Sequence, residues 1–184
     1  MTGLASPSQL RMSFLRYALV TVPAVVLLGT LSGALSGAGF DNGWFAALDK
    51  PANLPPGWAF GAAWTVLYVL LGLSFAMVLH ARGARGRERA LILLGLLFLL
   101  ALAWPPVFFA FHKAAPALSI VAAMIVCTVA GIFILWRIRI VAALLLFPWL
   151  GWLMFAATLN FQIVSLNPDA ETLAPAGAST DIAL

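Results

Sequence analysis

Charge is what this sequence lacks most. Only 9% of its 184 residues are Asp, Glu, Lys or Arg, against roughly 25% in soluble domains, too few to cover a water-facing surface. An ordinary soluble globular protein is excluded. The formal net charge of +4 comes from ten basic and six acidic residues. It reflects scarce acids rather than the clustered Lys/Arg stripe that grips a phosphate backbone, so a nucleic-acid partner is excluded as well. Cysteine is nearly absent: Cys127 alone can make neither an intramolecular disulfide nor a zinc site. The two histidines, His80 and His112, fall at the ends of apolar runs with no second ligand spaced to either. No metal site and no obligatory cofactor are expected.

What is present is long apolar sequence. Charge-free stretches cover 17–40, 51–81, 90–111, 114–136 and 140–168, and each meets the roughly 20 residues that an α-helix needs to cross a bilayer. Runs such as 91–102 and 141–150 are apolar all round, whereas barrel strands alternate. The expected fold is an all-α integral membrane protein, a five-transmembrane-helix bundle in the lipid bilayer, with helices at about 17–40, 56–81, 90–111, 114–136 and 140–166. An N-terminal tail is expected over 1–16. The Pro-, Ala-, Ser- and Thr-rich stretch 167–184 reads as a disordered tail.

Five spans put Arg11, Arg16, Arg82, Arg85, Arg87, Arg89, Arg137 and Arg139 on one side and only Lys50 and Lys113 on the other. In a bacterial cell membrane, the positive-inside rule makes the N-terminus cytoplasmic. A secretory signal is the alternative for the first span, with Arg11 and Arg16 preceding an apolar stretch and a small-residue run. Against it, the apolar part is long for such a segment.

No acidic or basic residue lies inside a span. Proton relays and ion pathways depend on such groups, so a pump or ion-coupled carrier is disfavoured. Paired broken helices or inverted halves, the usual mark of alternating access, are also missing. Ser74, Ser119, Thr65, Thr128 and Thr158 have no carboxylate or imidazole partner at matching depth and read as hydrogen-bonding groups within or between helices. A conventional enzyme is not expected.

Aromatics take the place of charge. Phe60, Trp64 and Tyr68 share one helix face; Trp104, Phe108 and Phe111 share another; Trp149, Trp152, Ala156 and Asn160 share a third. Three such faces either line one pocket or pack a core. Trp44, Trp58 and Trp136, near span ends, suit an interfacial belt instead. Pro55 and Pro56 precede the second helix, where a missing amide costs little. Pro105, Pro106 and Pro148 fall inside spans and are expected to kink them and free carbonyls. Gly29, Gly33 and Gly37 form a GxxxGxxxG ridge for close helix packing, within one chain or across a homodimer.

The order of these residues resembles a known family. Trp44-Phe45-Ala46-Ala47-Leu48-Asp49-Lys50-Pro51, then Pro55-Pro56-Gly57-Trp58-Ala59-Phe60 and Trp64-Thr65-Val66-Leu67-Tyr68, are similar to the signature of the translocator protein family, also called tryptophan-rich sensory proteins or peripheral-type benzodiazepine receptors. Trp104-Pro105-Pro106-Val107-Phe108-Phe109 resembles the family's third-helix motif. Pro148-Trp149-Leu150-Gly151-Trp152, Ala156-Ala157-Thr158-Leu159-Asn160 and Leu166-Asn167 resemble its fifth. The resemblance implies a five-helix bundle, often dimeric, that binds apolar aromatic ligands, tetrapyrroles such as protoporphyrin IX or haem, and sterols. It implies a cavity formed by Trp44, Phe60, Trp64, Tyr68, Trp104, Phe108, Trp149, Trp152 and Asn160, under a lid containing Lys50, Pro51, Asn53, Pro55 and Pro56. Some bacterial members are associated with light-dependent breakdown of protoporphyrin, and the two tryptophans implicated there match Trp64 and Trp152. Three positions depart from the family pattern: Asn53 stands where many members have tryptophan, Ala101 where they have asparagine, and Trp149 where they have tyrosine. The family's cholesterol motif is absent from the fifth helix, since no basic residue follows Arg139; a reversed form runs from Arg11 through Tyr17 to Leu19. Three readings follow: a ligand-binding membrane receptor, a tryptophan-dependent photo-oxidation of porphyrin, and a structural scaffold.

Overall fold

The structure, a computed structural model, describes residues 7–173. Its elements in chain order are α1 (Pro7–Leu35), α2 (Gly43–Ala47), α3 (Gly57–His80), α4 (Arg87–Pro105), a π turn (Pro106–Ala110), α5 (Ala114–Trp136), α6 (Ile140–Leu144), α7 (Leu146–Leu166) and a final 3-10 turn (Ala170–Thr172). There are no strands among the described residues. Five helical stretches are long and apolar enough to cross a membrane: Met12–Leu35, Gly57–His80, Arg87–Ala110, Ala114–Trp136 and Ile140–Leu166. The fold is an all-α five-helix membrane bundle. Around its circumference α1 lies beside α3, α3 beside α6 and α7, α7 beside α5, α5 beside α4, and α4 returns to α1.

Close approach of α1 and α3 depends on glycine. A Cβ on Gly72 would sit 2.7 Å from the Val22 Cα and 3.2 Å from the Thr21 carbonyl oxygen. Thr21 uses that proximity, and its hydroxyl donates to the Gly72 carbonyl at 2.8 Å. Hydroxyl-to-carbonyl bonds of this kind hold helices together where no hydrophobic force distinguishes neighbour from lipid.

Two helices end differently from the expected spans, and local chemistry explains both. α1 begins within the stretch expected to be a tail and stops at Leu35 rather than residue 40. There the Ala38 amide donates to the Gly33 carbonyl and the Gly37 amide to the Ala34 carbonyl, with Gly37 at φ 62°. That is a Schellman cap, which requires a left-handed residue just past the helix. Gly37 is therefore a helix stop and not part of a helical ridge. The fifth span is divided at Leu145 into α6 and α7. Pro148 has no amide to offer the Leu144 carbonyl, so the helical ladder is interrupted at that point.

Pro105 and Pro106 likewise withhold two amides late in the third span, where α4 gives way to the π turn. One released carbonyl, that of Leu102, accepts the Ser32 hydroxyl of α1 at 2.7 Å. A side chain thus replaces the lost backbone donor and ties α1 to α4.

Residues 167–173 differ from the expected disordered tail. Asn167 and Ala170 are buried, and Lys113 forms an ion pair with Glu171. Polar groups at the end of α7 find partners in the loops of the same face of the bundle, which fixes this stretch. Residues 174–184 of the expected tail lie outside the described residues.

Candidate functional site

A cavity of about 430 Å³ lies inside the bundle at the end where α1 finishes and α3 begins. Phe60, Trp64 and Tyr68 of α3 form one wall, and Trp104 with Phe108 and Phe109 of the π turn forms another. On α7 the wall is made by Ala156, Leu159 and Ile163, and on α1 by Gly29 and Gly33. Phe40, Phe45 and Leu54, from the loop between α1 and α3, make the roof. Among the described residues no acidic or basic side chain lines the space. Its volume falls within the roughly 300–1,000 Å³ of small-molecule sites.

Several of the wall rings are braced by neighbours. Trp104 stacks on Phe108 at 5.0 Å and 15° between planes. Its indole N–H points to the Asn160 side-chain oxygen at 3.4 Å, while the Asn160 amide donates to the Ala114 carbonyl at 2.9 Å. Asn160 is therefore buried behind the wall rather than on it, orienting Trp104 from α7 and α5. Tyr68 lies over Gly29, whose missing side chain leaves the ring its place: a Cβ there would fall 2.3 Å from the ring. Trp64 meets Tyr68 at 5.5 Å and Trp149 edge-on at 5.8 Å.

Phe60, Trp64, Tyr68, Trp104 and Phe108 of the sequence-based site thus come together on one cavity. Trp44, Trp149 and Trp152 do not line it. Trp149 is fully buried behind Trp64 and Tyr68. Trp152 faces an outer groove between α3 and α7, shared with Ala62, Val66, Pro148 and Phe155, and touches the cavity only through Phe60 at 5.6 Å. By helical spacing Trp152 shares a face with Ala156, Leu159 and Ile163, so the cavity is met by the later turns of that face and not by the turn that carries Trp152. Residues 156, 159 and 163, spaced by three and four, take over the wall. Leu159 and Ile163 were the positions that this spacing could have marked, had the register of α7 against α3 been known.

Trp44 supports the roof. It is 1% exposed, stacks on His112 at 4.8 Å, and donates its indole N–H to the Ala170 carbonyl at 2.7 Å. His112 adopts φ 57°, a left-handed turn between the π turn and α5 that brings its ring to Trp44. Asn42 caps α2 by accepting the Phe45 amide at 2.9 Å. Lys50 folds its ammonium back onto the Ala46 and Leu48 carbonyls, 5.2 Å from the Phe45 ring centre, so its charge closes the roof from outside. Pro51 is buried. Pro56 sits at the N-cap of α3 with φ −63° and ψ 151°, setting the direction in which the loop meets the helix after Pro55. Asn53 is exposed and off the cavity, and Leu54 provides the roof contact beside it. Ala101 is buried in the helical core and also lies off the cavity.

Of the glycine ridge, Gly29 accommodates a ring of its own chain, Gly33 lines the cavity and Gly37 caps α1. Among the described residues no group of His, Cys, Asp and Glu is placed to hold a metal ion.

Comparison with known proteins agrees with this architecture. The chain is 30% identical over 155 residues to Protein CrtK of Rhodobacter capsulatus, covering 81% of this chain and 94% of that one. It is 33% identical over 150 residues to the Tryptophan-rich protein TspO of Archaeoglobus fulgidus, covering 80% and 94%. With the human Translocator protein it shares 34% identity over 150 residues, covering 77% and 88%. The sequence model of the TspO/MBR family matches residues 20–166, from within α1 to the last residue of α7. With five membrane-crossing helices and that match spanning all of them, this integral multi-pass membrane protein belongs to the TspO/MBR family.

Proposed function

We propose that the protein binds apolar planar ligands, tetrapyrroles such as protoporphyrin IX above all and sterols second, in the cavity between α1, α3, α4 and α7, in a bacterial cell membrane with its N-terminus cytoplasmic. The observation that carries this reading is a roofed space walled by Phe60, Trp64, Tyr68, Trp104 and Phe108 with no acidic or basic side chain among the described residues. Flat aromatic faces suit a flat macrocycle, and offset or edge-on contacts with it add to simple burial. An unpaired carboxylate cannot be buried in such a site without large cost. A porphyrin would therefore keep its propionates toward the roof end, where the bundle meets water, and away from the lateral gap at Thr30, Ala34, Gly61 and Thr65, which lies within the membrane-crossing stretches of α1 and α3.

Tryptophan-fluorescence quenching by protoporphyrin IX in detergent tests the reading. Saturable quenching is expected, with affinity reduced about tenfold or more in Trp64→Ala, since a stacked aromatic contributes on the order of 1 kcal/mol beyond its buried area. Unaltered affinity in that variant would remove Trp64 from the site.

One observation favours photochemical degradation as a second reading. Trp64 and Tyr68, neighbours on the cavity wall at 5.5 Å, are backed by the buried Trp149, 5.8 Å from Trp64, so oxidisable rings continue from the wall into the core. Under light and air it predicts a porphyrin product dependent on folded protein and lost in Trp64→Phe. Identical bleaching with heat-denatured protein would rule it out.

A further inference from the structure

We propose that the segment following α7, residues 167–171, is a clasp that fastens the cavity roof, with Asn167 and Trp44 as its positioning residues. Asn167 holds the backbone of Asp49 at both polar groups. Its side-chain oxygen accepts the Asp49 amide at 2.8 Å, and its side-chain amide donates to the Asp49 carbonyl at 2.9 Å. The same side-chain amide reaches the Ile163 carbonyl at 2.8 Å, which anchors the contact to α7. Three residues on, the Ala170 carbonyl takes the Trp44 indole N–H in a buried bond. Ala170 itself packs in one apolar cluster with Trp44, Phe45, Leu48 and Phe108. Glu171 then pairs with Lys113 at the start of α5.

These contacts converge on 44–49, the part of the roof that carries Phe45 into the cavity. Within that stretch α2 is only five residues long, and a single turn is not stable by itself in water. Its position must come from tertiary contacts, and beside the Asn42 side-chain amide's bond to the Phe109 carbonyl the clasp supplies polar ones in which backbone groups take part. Buried bonds of this kind are expensive to leave half-made, because the remaining donor or acceptor stays desolvated. The roof and the clasp therefore open as a unit, and local opening of such a unit sets how fast the space beneath exchanges with water. That this exchange gates a ligand rests on the reading of the cavity given above.

The test separates the two. In a Cys127→Ser background, Leu159→Cys places a thiol on the buried cavity wall, and its reaction with a charged, water-borne thiosulfonate reports roof opening without any ligand. Asn167→Ala is expected to accelerate this reaction about tenfold, as the loss of its two part-buried hydrogen bonds to Asp49 implies. Trp44→Phe keeps an aromatic ring but removes the indole donor, so it is expected to accelerate about threefold; it also serves if Asn167→Ala does not fold. Ser74→Ala, which removes a buried bond to the Ala142 carbonyl at the far end of the bundle, is expected to leave the rate unchanged. Equal acceleration by Ser74→Ala, or none by both roof variants, would overturn the clasp. With protoporphyrin IX as probe, stopped-flow quenching is expected to show association and dissociation rising together in Asn167→Ala. Faster labelling with unchanged porphyrin rates would refute the gating role. Absence of saturable porphyrin binding in the unaltered protein would instead refute the ligand assignment, with the labelling result still deciding the clasp.

Discussion

The two ends of the bundle are built from different materials. Toward the arginine-rich turns the interior is aliphatic and solid: Leu71, Val78, Ala90, Leu94, Leu97, Leu135, Ala142, Ala143 and Leu146 are each 1% exposed or less. Toward the roof it is aromatic and hollow, although the same five spans continue through both. Small and branched aliphatic groups interdigitate and leave few voids. Planar rings braced by Trp104–Phe108 stacking and by Asn160 stand as walls and cannot turn inward to fill what lies between them. Hydrophobic content alone does not distinguish a core from a site. The shape and bracing of the apolar groups do.

Substitutions at matched positions in the two ends probe this contrast. The largest effect is expected from Gly72→Val, where the new side chain meets backbone of α1 that cannot yield. Thermal unfolding in detergent is expected to show a loss of about 3 kcal/mol or more, as overpacking against a fixed backbone costs. Next is Leu97→Ala in the solid end, expected to cost about 2–4 kcal/mol through a new void. Gly29→Ala stands between the regions, since its Cβ must push the Tyr68 ring toward the cavity. A loss of about 1–2 kcal/mol is expected, together with weaker porphyrin binding. The smallest effect on stability is expected from Gly61→Leu on the cavity wall, where an added Cβ meets nothing within 4 Å. Better helix propensity is expected to raise stability by about 0.5–1 kcal/mol, while porphyrin affinity falls because the space is filled. A loss of stability in Gly61→Leu comparable to that in Leu97→Ala would show that the hollow end is collapsed in the membrane, and the contrast would fail.

Much of this was legible in the sequence. Charge-free runs gave the second and fourth spans to within a residue or so of Gly57–His80 and Ala114–Trp136. The stripe Phe60, Trp64, Tyr68 does share one face on the cavity. Spacing along one helix fixes which residues share a face but not which turns of that face meet a cavity. Trp149 and Trp152 are therefore found behind and outside the cavity, while Leu159 and Ile163 occupy the wall. The roof supports were hidden for a different reason. Asn167 and Ala170 lie in a polar, proline-bearing stretch whose composition matches disorder, and their role depends on partners far away in sequence.

The bonds between Asp49 and Asn167 join residues 118 positions apart. During synthesis the first loop emerges long before α7 does, since a chain is made from its N-terminus. For that interval Trp44 and the Asp49 backbone have no partners from the chain end. The aromatic chamber can acquire its finished roof only after the fifth span is inserted, so the roof contacts are among the last of the bundle to form.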